Sequence, residues 1–232
     1  MDQRNPESQH RCFTPFLDAI PQKKYNYDIG VILNTVGGMD LAYSKSEKKR
    51  AFILTQAREV FMKKGYSRVT MKDIVTACGI SRGGLYLYFN STKELFLEVF
   101  RQEAVESQEA VMMALDQQED PRDILVDYIK QHKASILGDT PTLTLATYEF
   151  FQENEEEQVI RRWQFDDMAE MLRELLSYGI GTGAFKEIDP AQWGRHLAHF
   201  LSGMCLTLPV LKMPEERIDE ELALLLEPIF NS

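Results

Sequence analysis

Apolar side chains fall into helical spacing from about Lys45 onward. Leu54, Ala57 and Phe61, with Ile53 and Val60 beside them, recur every three or four residues while Lys48, Lys49, Arg58 and Lys63 fall largely elsewhere, which predicts an amphipathic helix. Gly65 ends it. Thr70 with Asp73 three residues later reads as a capping box that opens a short helix carrying Ile74, Val75 and Ala77 and stopping at Gly79. Ser81 caps a third helix running through Leu85 to about Phe89, and Ser91 with Glu94 launches a longer one through Leu95 and Val99. Further helices are predicted from Pro121 to Leu137, Thr142 to about Gln152, Glu155 to about Tyr178, Pro190 to about Leu211 and Glu215 to about Phe230. Pro121 and Pro190 suit first turns, where the missing N–H costs nothing. Gly179 to Gly183 read as a helix stop and turn. Strand-like alternation is scarce, so the fold class is all-α.

Residues 1–43 differ in kind. They carry Pro6, Pro15, Pro21 and the pair Gly37-Gly38 without a sustained period, so a loosely ordered extension is expected. Met39 stands just before the first strongly helical stretch and is an alternative start.

Net charge is −10 over 232 residues, which taken alone argues against nucleic acid. The average conceals a division. Ala42 to Lys93 holds 11 Lys and Arg against 3 Asp and Glu, a local balance of +8, whereas Glu94 to Ser232 holds 11 against 28, a balance of −17. A compact basic segment therefore precedes a long acidic one, and phosphate contacts belong to the first. No apolar run approaches the roughly 20 residues of a membrane span, and no secretory pattern opens the chain, so a cytoplasmic protein with no membrane partner is expected. Cys12, Cys78 and Cys205 are widely separated and odd in number, which offers neither a disulfide framework nor a CxxC metal clamp.

The segment from Ile74 to Leu95 places two helices about the tight turn at Gly79, the helix-turn-helix arrangement whose second helix enters a major groove. That second helix begins with Ser81, Arg82, Gly83 and Gly84, small enough to bring its end and its backbone N–H groups close to DNA. Arg82 is the one long side chain there able to contact guanine O6 and N7 together. Tyr86 and Tyr88 offer hydroxyls to phosphate, with half-buried core packing as the competing reading. Thr70 is divided in the same way between helix cap and phosphate ligand.

The run Cys78-Gly79-Ile80-Ser81-Arg82-Gly83-Gly84-Leu85-Tyr86-Leu87-Tyr88-Phe89-Asn90-Ser91 resembles the DNA-binding head of the tetracycline-repressor (TetR) family, and the similarity extends over roughly Lys48 to Val99. The resemblance implies a three-helix head at 44–93 and a larger helical effector-binding and dimerisation domain at 94–232. It also implies a homodimer on a palindromic double-stranded operator and a small-molecule effector that releases DNA. Two positions depart from the family pattern. Thr92 stands where a phosphate-contacting lysine is usual, with Lys93 one place later and expected to reach the DNA backbone from the first turn of its helix, and Cys78 replaces a usual alanine.

In the family the last two long helices form the dimer bundle, which points here to Pro190–Leu211, with Leu197, Ala198, Leu201, Gly203, Met204 and Leu208, and to Glu215–Phe230. Burial within one subunit is the alternative. Tyr148, Phe150, Phe151, Trp163, Phe165, Met168 and Met171 are candidates for an apolar effector lining, though an aromatic and Met stripe is more often core. The acidic run from Glu153 to Glu157 reads as a solvated helix start. His196 and His199 could share a helix face, but no Glu-x-x-His or His-Glu-x-x-His accompanies them, so neither metal nor other cofactor is expected. No Gly-x-Ser-x-Gly elbow occurs, and an enzyme is not expected. The main rival to a ligand-responsive repressor is an effector-independent or architectural helix-turn-helix protein.

Overall fold

The computed structural model describes residues 45–137 and 143–230. The predicted extension at 1–43, with Met39 and Cys12, lies outside the described residues. Nine α-helices are described: α1 (Lys45–Lys64), α2 (Met71–Cys78), α3 (Arg82–Tyr86), α4 (Thr92–Asp116), α5 (Pro121–Leu137), α6 (Thr144–Glu153), α7 (Gln158–Gly181), α8 (Pro190–Leu211) and α9 (Glu215–Leu226). A single 3-10 turn, Glu155–Glu157, joins α6 to α7. The only strand-like feature among the described residues is an isolated bridge between Phe185 and Phe230. No described helix is long and apolar enough to cross a membrane.

Local chemistry explains the boundaries in the head. Thr70 and Asp73 form the reciprocal capping box at α2, and Gly79 closes that helix in the left-handed region at φ 62, where a Cβ would be strained. Ser81 accepts from the Gly84 N–H and starts α3, and Ser91 accepts from the Glu94 N–H and starts α4. At α8 the Asp189 carboxylate accepts from the N–H groups of Ala191 and Gln192, a cap satisfying two otherwise orphan donors.

Four predicted boundaries need correction, the last helix among them: it ends at Leu226 rather than near Phe230, because the Ile229 and Phe230 N–H groups both turn back to the Leu226 carbonyl. The third helix stops at Tyr86 rather than near Phe89, because the Tyr88 and Phe89 N–H groups both turn back to the Leu85 carbonyl. The helix placed at Glu155 begins at Gln158, after the 3-10 turn, and continues through Gly179 to Gly181. Gly179 sits in the last turn of this helix for a packing reason: a Cβ there would lie 2.0 Å from the Phe185 ring, which is itself buried. The helix expected from Thr142 begins at Thr144, and Thr142 lies outside the described residues.

Two apolar cores organise the chain. The first joins head residues such as Ile53, Phe61, Ile74, Leu85 and Phe89 to Leu95–Phe100 of α4 and to Ala146, Phe150, Phe151 and Ile160. The second gathers Val111, α5, the remainder of α7, α8 and α9. Ion pairs brace the first core from outside, with Arg50 to Glu98 at 2.8 Å and Arg58 Nε to Glu103 at 2.6 Å. Across the second, Lys133 of α5 reaches Glu215 at 2.7 Å and Asp219 at 2.6 Å.

Candidate nucleic-acid interface

The helix expected to read DNA is anchored by one side and open on the other. Leu85 and Phe89 are fully buried, with the Arg50 guanidinium 5.2 Å above the Phe89 ring. Arg82 and Tyr86 lie on the exposed side, the Arg82 guanidinium 5.4 Å from the centre of the Tyr86 ring. No described carboxylate pairs with Arg82. A cation held over an aromatic face keeps its fork extended and available. Gly83 has open space around it, whereas a Cβ on Gly84 would come 3.2 Å from Ser81 Oγ.

The other expected contact residues divide. Ser81 Oγ accepts the Gly84 N–H at 3.1 Å, and its own hydroxyl proton remains to be donated. Thr70 is a cap: its N–H and hydroxyl both donate to Asp73 Oδ2, at 2.9 and 2.6 Å. Hydrogen bonds from Lys64, then from the Thr70 side chain and backbone, hold the Asp73 carboxyl well below the usual carboxylate range. Tyr88 packs against the first core and its hydroxyl receives a 3.4 Å bond from Ser46, so its place is largely structural.

Lys93, at the start of α4, is engaged by acidic residues of the 3-10 turn between α6 and α7. Its ammonium pairs with Glu156 and, at 2.9 Å, with Glu157. Burial pulls its pKa down, but hydrogen bonds to both carboxylates outweigh that and leave it above the usual lysine range. Nearby, the Ser67 N–H donates to Glu149 at 3.0 Å and its hydroxyl donates to Glu153. Gly65 makes room for this: a Cβ there would fall 2.5 Å from the Glu149 carboxylate. The acidic run read as a solvated helix start is therefore, in large part, a clasp between α6–α7 and the head.

Beyond the head, the candidate lining residues are split between the two cores. Tyr148 is 49% exposed, Phe150 and Phe151 belong to the first core, and Met171 is buried in the second with Phe165 and Met168 packed against it. Trp163 is half-buried on α7. An open groove of about 570 Å³ lies instead on α8, lined by Gln192, Trp193, Arg195, His196 and His199. There His196 meets the Trp193 ring edge-on at 5.3 Å and His199 meets Phe165 at 4.4 Å. No group of three or more His, Cys, Asp or Glu among the described residues could hold a metal ion.

With that geometry in place, the profile of the tetR family of bacterial regulatory proteins matches residues 53–99. A curated relative, the uncharacterised HTH-type transcriptional regulator YfiR of Bacillus subtilis (strain 168), is 31% identical over 150 residues, covering 62% of this chain and 71% of YfiR. The chain belongs to the tetR family. Solved structures extend the likeness in fold. NalD, the secondary repressor of the MexAB-OprM multidrug efflux pump in Pseudomonas aeruginosa, is 22% identical with a TM-score of 0.60 over 81% of this chain and 99% of its own. A SmeT–triclosan complex is 19% identical with a TM-score of 0.61 over 80% and 93%.

Sequence reasoning missed several polar groups in the helical half of this TetR-family chain. Burial pushes the Tyr128 hydroxyl up, helped by nearby Cys205, and pushes the Cys205 thiol up to about 11. His132 is pulled below the ordinary imidazole value by burial, and its Nδ1 donates to the Tyr128 carbonyl at 3.0 Å. Arg161 is also lowered by burial and donates to Gln164 at 2.5 Å. Burial first, and Asp166 second, push the Asp167 carboxyl up to about 6.

The Asp167 shift has a signed consequence. Its folded pKa exceeds the unfolded value of about 3.9, so the folded chain binds the proton more tightly. The carboxylate destabilises the fold in full above about pH 6, less as pH falls from there, and not at all below about pH 4. Asp167→Asn is expected to stabilise the protein by on the order of 1 kcal/mol near pH 7.5, after allowing for solvent screening, and to give no gain near pH 4. Thermal melts at the two pH values check this, and an equal gain at both would contradict it.

Proposed function

We propose that this TetR-family regulator binds a palindromic DNA operator as a homodimer and is released from it by a small, largely apolar effector. The observation that carries the reading is the exposed Arg82–Tyr86 pair beside Gly83 on the open face of α3, set in a segment of local charge +8. Arg82 would read guanine in the major groove, while Tyr86 and Ser81 would hold phosphates. NalD and SmeT, which share the fold, support the reading because the first is a repressor and the second holds triclosan.

The homodimer is supported by what α8 and α9 leave uncovered. Leu206, Leu211 and Leu224 are exposed, and nothing lies within 4 Å of where a Gly203 Cβ would stand. A two-fold bundle of these helices would bury that surface. Coupling between the halves would run through α6, where Phe150 packs against Tyr66 and Phe96 of the head side and Glu149 and Glu153 hold Ser67. A ligand that displaced α6 would shift the head with it.

Full-length protein incubated with sheared DNA from the source genome tests the proposal. Enriched fragments are expected to share an inverted repeat, and compounds that raise the melting temperature should also release those fragments. Fragments with no common sequence would overturn DNA recognition. Stabilising compounds without any effect on release would overturn effector control.

A further inference from the structure

Leu87 is 84% exposed, more than any other large apolar side chain among the described residues. Neither apolar core includes it, so the fold gives no reason for a leucine there. Its position does. At about 100° per residue, Leu87 lies about 200° round from the buried Leu85 and Gly83 about 160° round, so these two define the side opposite the anchor. They are also linked, the Leu87 N–H donating to the Gly83 carbonyl at 3.2 Å. Gly83 has no side chain and open space around it. Leu87, which caps the C-terminal end of α3 in helical backbone geometry, is therefore the aliphatic side chain projecting from this face, with Arg82 and Tyr86 paired on its flank.

The surrounding segment is basic, which favours nucleic acid over an apolar protein partner as the occupant of this face. The major groove offers one apolar group, the 5-methyl of thymine. Resting on the DNA-binding reading above, we infer that Leu87 is a specificity-determining residue that recognises thymine through its 5-methyl group in each half-site. Leucine has no hydrogen-bonding atom in its side chain, so discrimination comes from burying the methyl.

Selection from a random duplex library with the full-length protein is expected to return an invariant thymine in each half-site. Replacing that thymine by deoxyuridine removes only the methyl group and should weaken binding by about fourfold per half-site, the value of one buried carbon. Leu87→Ala should abolish the uridine penalty, and Leu87→Met should retain it. Restoring a methyl as 5-methylcytosine in place of cytosine at that position should strengthen wild-type binding and leave Leu87→Ala unaffected. A uridine penalty equal in wild type and Leu87→Ala, on an otherwise specific operator, overturns this inference alone. Selection that returns no sequence preference overturns the DNA-binding reading and this inference with it.

Discussion

Phe150→Ala is expected to destabilise the protein by about 3–5 kcal/mol and to lower its melting temperature by roughly 10 °C. Phe150 is fully buried, and its ring stacks on Phe96 at 4.7 Å while meeting Tyr66 at 4.9 Å and Phe151 at 5.0 Å edge-on. Truncation would lose the transfer energy of the ring and leave a cavity whose walls belong to three elements. Those walls also join the halves, since Tyr66 follows α1, Phe96 lies on α4 and Phe150 on α6. The variant should therefore retain helical content at low temperature yet melt less cooperatively. Phe150→Leu, which fills part of the space, should lose about half as much. Circular dichroism melts decide this, and a shift under about 2 °C would show that the aromatic cluster does not tie the head to the helical half.

The second large effect comes from adding atoms. Gly194 of α8 faces the α7 backbone so closely that a Cβ would stand 2.7 Å from the Ala169 carbonyl oxygen and 2.9 Å from the Arg173 nitrogen. The clash is with main chain inside a regular helix, which no rotamer change can relieve, and α7 with α8 forms the most extensive helix pairing in the fold. Gly194→Ala should cost roughly 2–3 kcal/mol from overpacking, although alanine is the better helix former. Gly203→Ala on the same helix is the control. A Cβ there meets nothing within 4 Å in the subunit, so the isolated subunit should be no less stable. Chemical denaturation of both variants separates the two cases, and equal stability of Gly194→Ala and wild type would place α8 farther from α7 than described.

Much of the head was legible because its signals are local. The Thr70–Asp73 box, the Ser81 and Ser91 caps and the Gly79 stop act over three or four residues, and the alternation of buried and exposed positions on α1 follows the 3.6-residue period. The end of α3 was less legible, since Tyr88 and Phe89 read as helix but fold back to Leu85. Lys93 could not be placed from sequence, because Glu156 lies 63 residues away and nothing local links the two. Phe150 and Phe151 were recognised as an apolar stripe, yet periodicity does not say which of two cores a stripe enters. Gly194 carried no signal in the sequence, because only the α7 backbone packed against it requires a glycine there. Leu87 was visible only as an unremarkable member of the family pattern, and its exposure gave it meaning.

The proposed role of α3 is to read DNA sequence through its open face. Its most direct test is the affinity of full-length protein for a genome-selected operator and for a scrambled duplex of the same length, compared between wild type and Arg82→Ala at fixed salt. Arg82→Ala is expected to lose about 1–3 kcal/mol on the operator and to relax one base preference, with a smaller change on scrambled DNA. Undiminished discrimination between operator and scrambled duplex by Arg82→Ala would contradict it.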